Sequence, residues 1–188
     1  MSRSSVGPSV AWKLRRAAGS DSDSIWAIFK AVVAGGDTYV FDPAISREEA
    51  LAYWLHPSAR CYVAERQGVV LGTYILKPNH PGLGAHIANA AFMVEPGNQG
   101  SGLGRVMAEH CLAEARRLGY RGMQFNFVVS TNERAIRLWR KLGFEVLGTL
   151  PGVFRHAEKG FVDAYVMFRS LSDDDSAVES AVRDDASP

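Results

Sequence analysis

The sequence predicts a single α/β domain, a mixed sheet flanked by helices, and three observations predict it. The first is order: a pair of β-rich runs is followed by strand, helix, strand, helix and two closing strands, which joins a hairpin to one crossover. The second is a change of period at a glycine-rich turn, Gln99-Gly100-Ser101-Gly102-Leu103-Gly104, where a continuous apolar run gives way to helical spacing. The third is size, since 188 residues with 47% hydrophobic side chains suffice for one buried core and are too few to suggest two.

Residues 1–9 are polar and Ser-rich and are expected to be disordered, as is the acidic stretch 172–188, which leaves a folded domain over 10–171. Val10 to Arg16 alternates apolar and polar residues as a strand does. Ser20-Asp21-Ser22-Asp23-Ser24 then offers N-caps to a helix that runs to about Ala34 and stops at Gly35-Gly36. The following stretch, Asp37 to Ile45, holds Tyr39, Phe41 and an Asp42-Pro43 turn, an aromatic content that suits the lining of a pocket. Ser46-Arg47-Glu48-Glu49 spells a capping box, so a second helix is expected from there to His56, where Pro57 ends it.

Arg60 to Arg66 and Val69 to Lys77 read as a hairpin turning at Gln67-Gly68. His86 to Val94 is short enough for a strand and too continuously apolar for an exposed one. Beyond the glycine-rich turn, Leu103, Met107, Cys111 and Leu118 share one helical face, closed by Gly119. Arg121 to Val129 is the next strand, and Ser130 or Thr131 caps a helix carrying Ala135, Ile136, Leu138, Trp139 and Leu142 as far as Gly143. Phe144 to Leu150 and Gly160 to Arg169 complete the sheet, with His156 and Glu158 in the connection between them.

Composition sets several classes aside. No apolar run approaches the ~20 residues that span a bilayer, and the N-terminus lacks the apolar core of a secretory signal, so a cytoplasmic protein without a membrane partner is expected. Cys61 and Cys111 have no Cys or His at metal-ligand spacing; both read as reduced, semi-buried residues, and no metal is expected. The acidic end sets six carboxylates against Arg183, so the net charge of +1 divides into −5 for that tail and +6 for the rest. A moderately basic body suits an anionic ligand, whereas the scatter of its Lys and Arg residues argues against a nucleic-acid footprint.

A glycine-rich turn between strand and helix presents backbone N–H groups at a helix N-terminus, where unpaired donors and the helix dipole both favour phosphate. A plain tight turn has the same spelling. The turn lacks the Gly-Lys-Ser/Thr end of a P-loop and the spacing of a dinucleotide fingerprint, and the strand after it ends without the acidic residue that would hold a ribose. Gln99-x-x-Gly102-x-Gly104, preceded by Ala91-Phe92-Met93-Val94 and Pro96, resembles the acetyl-CoA motif, Arg/Gln-x-x-Gly-x-Gly/Ala, of the GNAT superfamily of N-acetyltransferases. Asn126-Phe127-Val128-Val129 and the run from Asn132 to Phe144, ending Leu138-Trp139-Arg140-Lys141-Leu142-Gly143-Phe144, are similar to that family's second cofactor segment.

The resemblance implies a GNAT-like acyl-CoA N-acyltransferase fold, with a mostly antiparallel sheet that contains one splayed parallel strand pair. It implies acetyl-CoA as acyl donor, a small-molecule or peptide amine as acceptor, direct attack in a ternary complex, and final strands that can meet a second copy in a homodimer. It assigns the pantetheine arm to the backbone of Phe92, Met93 and Val94 and to Asn132, and the pyrophosphate to Gln99, Gly100, Ser101, Gly102, Leu103, Gly104 and Arg105. Asn132 also reads as a helix cap, and Arg105 as a solvated first-turn residue.

Two positions depart from the family pattern. Trp139 stands where many relatives carry a Tyr that protonates the thiolate; its indole donates a hydrogen bond or simply packs. The strand position where some relatives place a basic Glu falls near Ala88, and His86, two residues earlier, is the nearest titratable substitute for the base or else a structural strand-end residue. Asp37, Tyr39, Phe41, His156 and Tyr165 are candidates for the acceptor pocket, where Asp37 and Asp42 would suit a cationic amine. The missing Tyr and Glu leave a second reading, a catalytically silent acetyl-CoA-binding sensor or interaction module.

Overall fold

The computed structural model describes residues 11–172. The tails expected at 1–9 and 172–188 lie outside the described residues, Ser172 apart. Among the described residues seven strands form one sheet: β1 (Lys13–Arg16), β2 (Arg60–Arg66), β3 (Val69–Pro78), β4 (Ile87–Val94), β5 (Gly122–Val129), β6 (Glu145–His156) and β7 (Gly160–Ser170). Their order is β1-β2-β3-β4-β5-β7-β6, and β4–β5 is the one parallel pair. The mixed α/β architecture with a splayed parallel pair is therefore present as the sequence implied.

Period-two alternation sorts the strands onto two cores. Tyr62, Ala64, Tyr74, Leu76, Ala88 and Ala90 face α3 (Leu103–Arg117) and α4 (Glu133–Lys141), with Leu103, Met107, Cys111 and Trp139 packed on them. Cys61, Val63, Ile75 and Met93 face the other way, onto Ile25, Phe29 and Val33 of α1 (Ser22–Val33) and Ala50 and Trp54 of α2 (Arg47–Trp54). The two cysteines are buried on opposite faces, and burial pushes the Cys61 thiol up to about 11, as suits an inert apolar residue.

The capping box at α2 forms as spelled: Ser46 Oγ accepts from Glu49 N at 3.2 Å while Ser46 N donates to Glu49 Oε2 at 3.1 Å. At α1 the expected side-chain cap is absent. Asp21 instead accepts two bonds from the Arg15 guanidinium, at 2.7 and 2.9 Å, and one from Ala18 N, which holds its carboxyl below the ordinary range. The largest difference from expectation is β6, which continues past Leu150 to His156. Gly148, Pro151 and Gly152 read as breakers, but here they fall in bulges of an edge strand, where register shifts are tolerated. Among the described residues, no helix is long and apolar enough to cross a membrane.

Candidate functional site

The site begins where β4 and β5 part. They pair only at Ile87↔Gly122 and Ala88↔Met123. At the fork Asn89 Nδ2 donates to Gln124 O at 2.8 Å, so a side chain supplies the bond that a continuing ladder would have made. Further along, the Tyr39 hydroxyl donates to Phe92 O at 2.7 Å and accepts from Phe92 N at 3.0 Å. Phe92 therefore turns its backbone groups away from β3, and the antiparallel alternation commits the backbones of Ala91 and Met93 to Ile75 and Thr73.

This corrects the expectation for Met93. Its backbone faces β3 and its side chain lies in the core at 1% exposure, so only even-numbered β4 residues, Val94 among them, offer backbone to the gap. Tyr39 is doubly bonded, and burial raises its phenol well above the ordinary range, which leaves it a latch rather than a proton donor.

After Val94 the chain makes a short 3-10 turn at Pro96–Asn98 and enters α3 through Gln99 to Gly102. Gly100 and Gly102 hold φ of 94° and 84°, a region that a side chain disfavours. Leu103 N makes only a long bond to Ser101 Oγ, at 3.4 Å, and among the described residues Gly102 N and Gly104 N donate to no turn or cap carbonyl, so the start of α3 keeps N–H groups available to an anion. Leu103 itself is core, at 1% exposure.

A cleft of about 700 Å³ runs along this turn, lined by Val94, Gln99, Gly100, Gly102, Gly104 and Arg105 on one side and by Thr131, Asn132, Arg134, Ala135 and Leu138 on the other. Asn132 caps α4, its Oδ1 accepting from Ala135 N at 3.1 Å, and Thr131 Oγ1 beside it is buried without a partner. A glycine cradle, an open helix start and an orphaned hydroxyl along one extended cleft fit a long anionic cofactor such as acetyl-CoA. Arg105 pairs with Glu109 at 2.7 Å. Arg134, by contrast, has no ion-pair partner among the described residues, and its Nη2 lies 3.4 Å from where a Cβ on Gly100 would stand.

A second cavity, of about 310 Å³, adjoins the cleft; both are lined by Thr38, Phe92, Asn132 and Ala135. Tyr39, Phe41, Tyr53, Phe125, Phe127 and Trp139 give it aromatic walls, and Lys77, Asn79, Asn89 and Asn126 supply its polar atoms. The expected pocket residues are thus divided. Tyr39 and Phe41 line this cavity, Asp37 and His156 line the cleft, and Tyr165 on β7 lines neither.

His156 Nδ1 accepts from Glu158 N and Lys159 N, at 3.1 and 3.3 Å, which puts the imidazole proton on Nε2. His86 is exposed, precedes β4 at the end remote from the glycine turn, engages Leu83 O through Nδ1 and lines neither cavity, so it has no geometry for a base. Trp139 is buried among Phe92, Phe125 and Phe144.

Sequence reasoning passed over Asn89 and Arg134. Counting to Ala88 landed one residue away, which is the opposite face of the strand: Ala88 packs under α3 while Asn89 lines the cavity. A lone amide inside the apolar run Ile87–Val94 was the available signal. For Arg134 the signal was charge spacing. Arg105 and Arg137 each have a Glu four residues away, and Arg134 has none.

The model of the acetyltransferase (GNAT) family matches residues 29–144. N-acetyltransferase aca1 of Schizosaccharomyces pombe is 40% identical over 108 residues, covering 55% of this chain and 52% of that protein, so the chain spans about half the length of this curated relative. A GCN5-related N-acetyltransferase from Kribbella flavida superposes with a TM-score of 0.82 at 41% identity, covering 85% of this chain and 98% of that one. The structure of yncA from Salmonella typhimurium with its cofactor acetyl-CoA gives 0.76 at 27% identity, over 87% and 95% of the two chains.

Proposed function

The chain belongs to the acetyltransferase (GNAT) family, and from that premise we propose that it moves an acetyl group from acetyl-CoA to the primary amine of an acceptor, by direct attack in a ternary complex. The observation that carries the proposal is the meeting of the two cavities at Thr38, Phe92 and Asn132, beside the fork of β4 and β5. One cavity has the glycine cradle, the other has room for a small molecule, and a group passed between them crosses the neck.

Bound acetyl-CoA supplies an acyl carbon activated as a thioester. The chain's own part is to hold and orient it. Gln99 to Gly104 and Arg134 receive its phosphates, Asn132 and the backbone of Val94 receive the pantetheine arm, and aromatic walls exclude bulk water at the neck. Among the described residues no carboxylate lines the smaller cavity, and Tyr39 is already committed, so removal of the amine proton falls to a water relay. A cytoplasmic location and a domain spanning 10–171 belong to the same reading.

Two measurements test it. At about 100 times its Kd a ligand stabilises the native state by ~2.7 kcal/mol, several degrees in Tm. Acetyl-CoA is expected to produce that shift and NADH none, after which thiol release with added amines reports transfer. The lack of a free proton-accepting side chain among the described residues at the neck keeps a second reading, an acetyl-CoA sensor. Tight acetyl-CoA binding without thiol release from any amine would establish the sensor instead.

A further inference from the structure

The smaller cavity has a charge pattern that acetyl transfer does not require. Among the described residues, Lys77 is the one charged residue that lines it, and no carboxylate does. Lys77 stands opposite Asn89 across the β3–β4 ladder, so the two side chains rise from the same face of the sheet. Its Nζ lies 5.0 Å from the centre of the Tyr53 ring, a contact that steers the ammonium without neutralising it. No carboxylate among the described residues pairs with it.

Two residues on, Asn79 also lines the cavity. Its Oδ1 accepts from Asn126 Nδ2 at 2.7 Å, while its own Nδ2 is buried with no partner. A buried amide donor without an acceptor in the chain is rare in a folded protein and calls for an acceptor from outside it, a water or an oxygen of a bound molecule. The acids that the sequence marked for a cationic amine are elsewhere. Asp37 lines the cleft and accepts from Thr38 Oγ1 at 2.9 Å; Asp42 lines neither cavity and accepts from Ala44 N at 2.8 Å.

We infer that the smaller cavity takes a small amine that also carries an anionic group, a carboxylate or another oxyanion, and that Lys77 and Asn79 hold that group. The inference rests on the acetyl-transfer reading above. Its size agrees, since about 310 Å³ is a small-molecule volume. A polyamine or a lysine-rich peptide would meet an uncompensated ammonium of its own sign.

The test is a matched series assayed by thiol release: alanine, valine and phenylalanine, each with its phosphonate analogue, its amide and the diamine of the same skeleton. The wild-type protein is expected to use the anionic amines with kcat/KM at least about tenfold above the amides, and the diamines least. Carboxylate against phosphonate tells which oxyanion is preferred. Lys77→Met keeps the aliphatic stem and removes the charge; it should raise KM for the anionic amines about ten- to a hundredfold, with kcat, the amides and the Kd for acetyl-CoA unchanged. Lys77→Glu should reverse the order of the series.

Preference for diamines in the wild type, or an equal loss on all acceptors in Lys77→Met, would overturn the inference and leave acetyl transfer standing. Thiol release from no acceptor, in protein that binds acetyl-CoA, would overturn both.

Discussion

β4 has two edges with opposite fates. Along β3 it is paired at every residue from Ala88 to Val94; along β5 it is paired at Ile87 and Ala88 alone. The first edge is ordinary sheet. The second is held open, and since unpaired backbone groups are costly when buried, side chains from elsewhere stand in for the missing strand. Asn89 covers Gln124 O, and Tyr39, reaching in from the loop after α1, covers both backbone groups of Phe92. The difference teaches that the gap is built rather than merely left, with a polar bond at its fork and a hydroxyl latch halfway along.

That contrast can be broken first on its closed side. Thr73, opposite Met93 in the register, accepts from Trp54 Nε1 and donates to Tyr62 O, both at 2.9 Å, and is fully buried. Thr73→Val preserves shape and strands the indole N–H, so unfolding in denaturant should show a loss of about 2–3 kcal/mol, the same with and without acetyl-CoA.

Tyr39→Phe probes the open side, where a ligand can replace what the mutation removes. Its loss, about 1–2 kcal/mol in the free protein, should shrink when acetyl-CoA covers the Phe92 groups. An undiminished loss would mean that the latch and the ligand use different backbone. The smallest effect sharpens the far end of the same edge. Arg134→Ala should weaken acetyl-CoA binding about tenfold by calorimetry, ~1.4 kcal/mol, whereas Arg105→Ala, whose guanidinium is occupied by Glu109, should change it by less than about twofold.

The closed edge and the glycine turn were legible in the sequence because their signals are local. A capping box, a hairpin glycine and the spacing Gln99-x-x-Gly102-x-Gly104 each lie within a few residues. The open edge was not, because it is assembled from separate segments: Tyr39 meets Phe92, Asn79 meets Asn126, and Lys77 meets Tyr53 only after the sheet exists. His86 illustrates the hazard of arguing from strand position. It lies just ahead of the right strand, yet at the end remote from the glycine turn. β6 was cut short for a related reason, since an edge strand tolerates Gly148, Pro151 and Gly152 where a central one would not.

The strand order also fixes when the site can exist during synthesis. β6 leaves the ribosome before β7 but hangs on its outer side, so the last strand among the described residues is the one that joins β6 to the rest of the sheet. The tip of that hairpin returns to the end of α1, where Ala157 N donates to Gly36 O at 3.0 Å, and brings His156 to the cleft that the early residues began. A chain still short of Gly160 has every glycine of the cradle and the α4 side of the cleft, but nothing yet ties β6 and its His156 tip to the sheet, so the cleft gains its last lining residues only after β7 has been made.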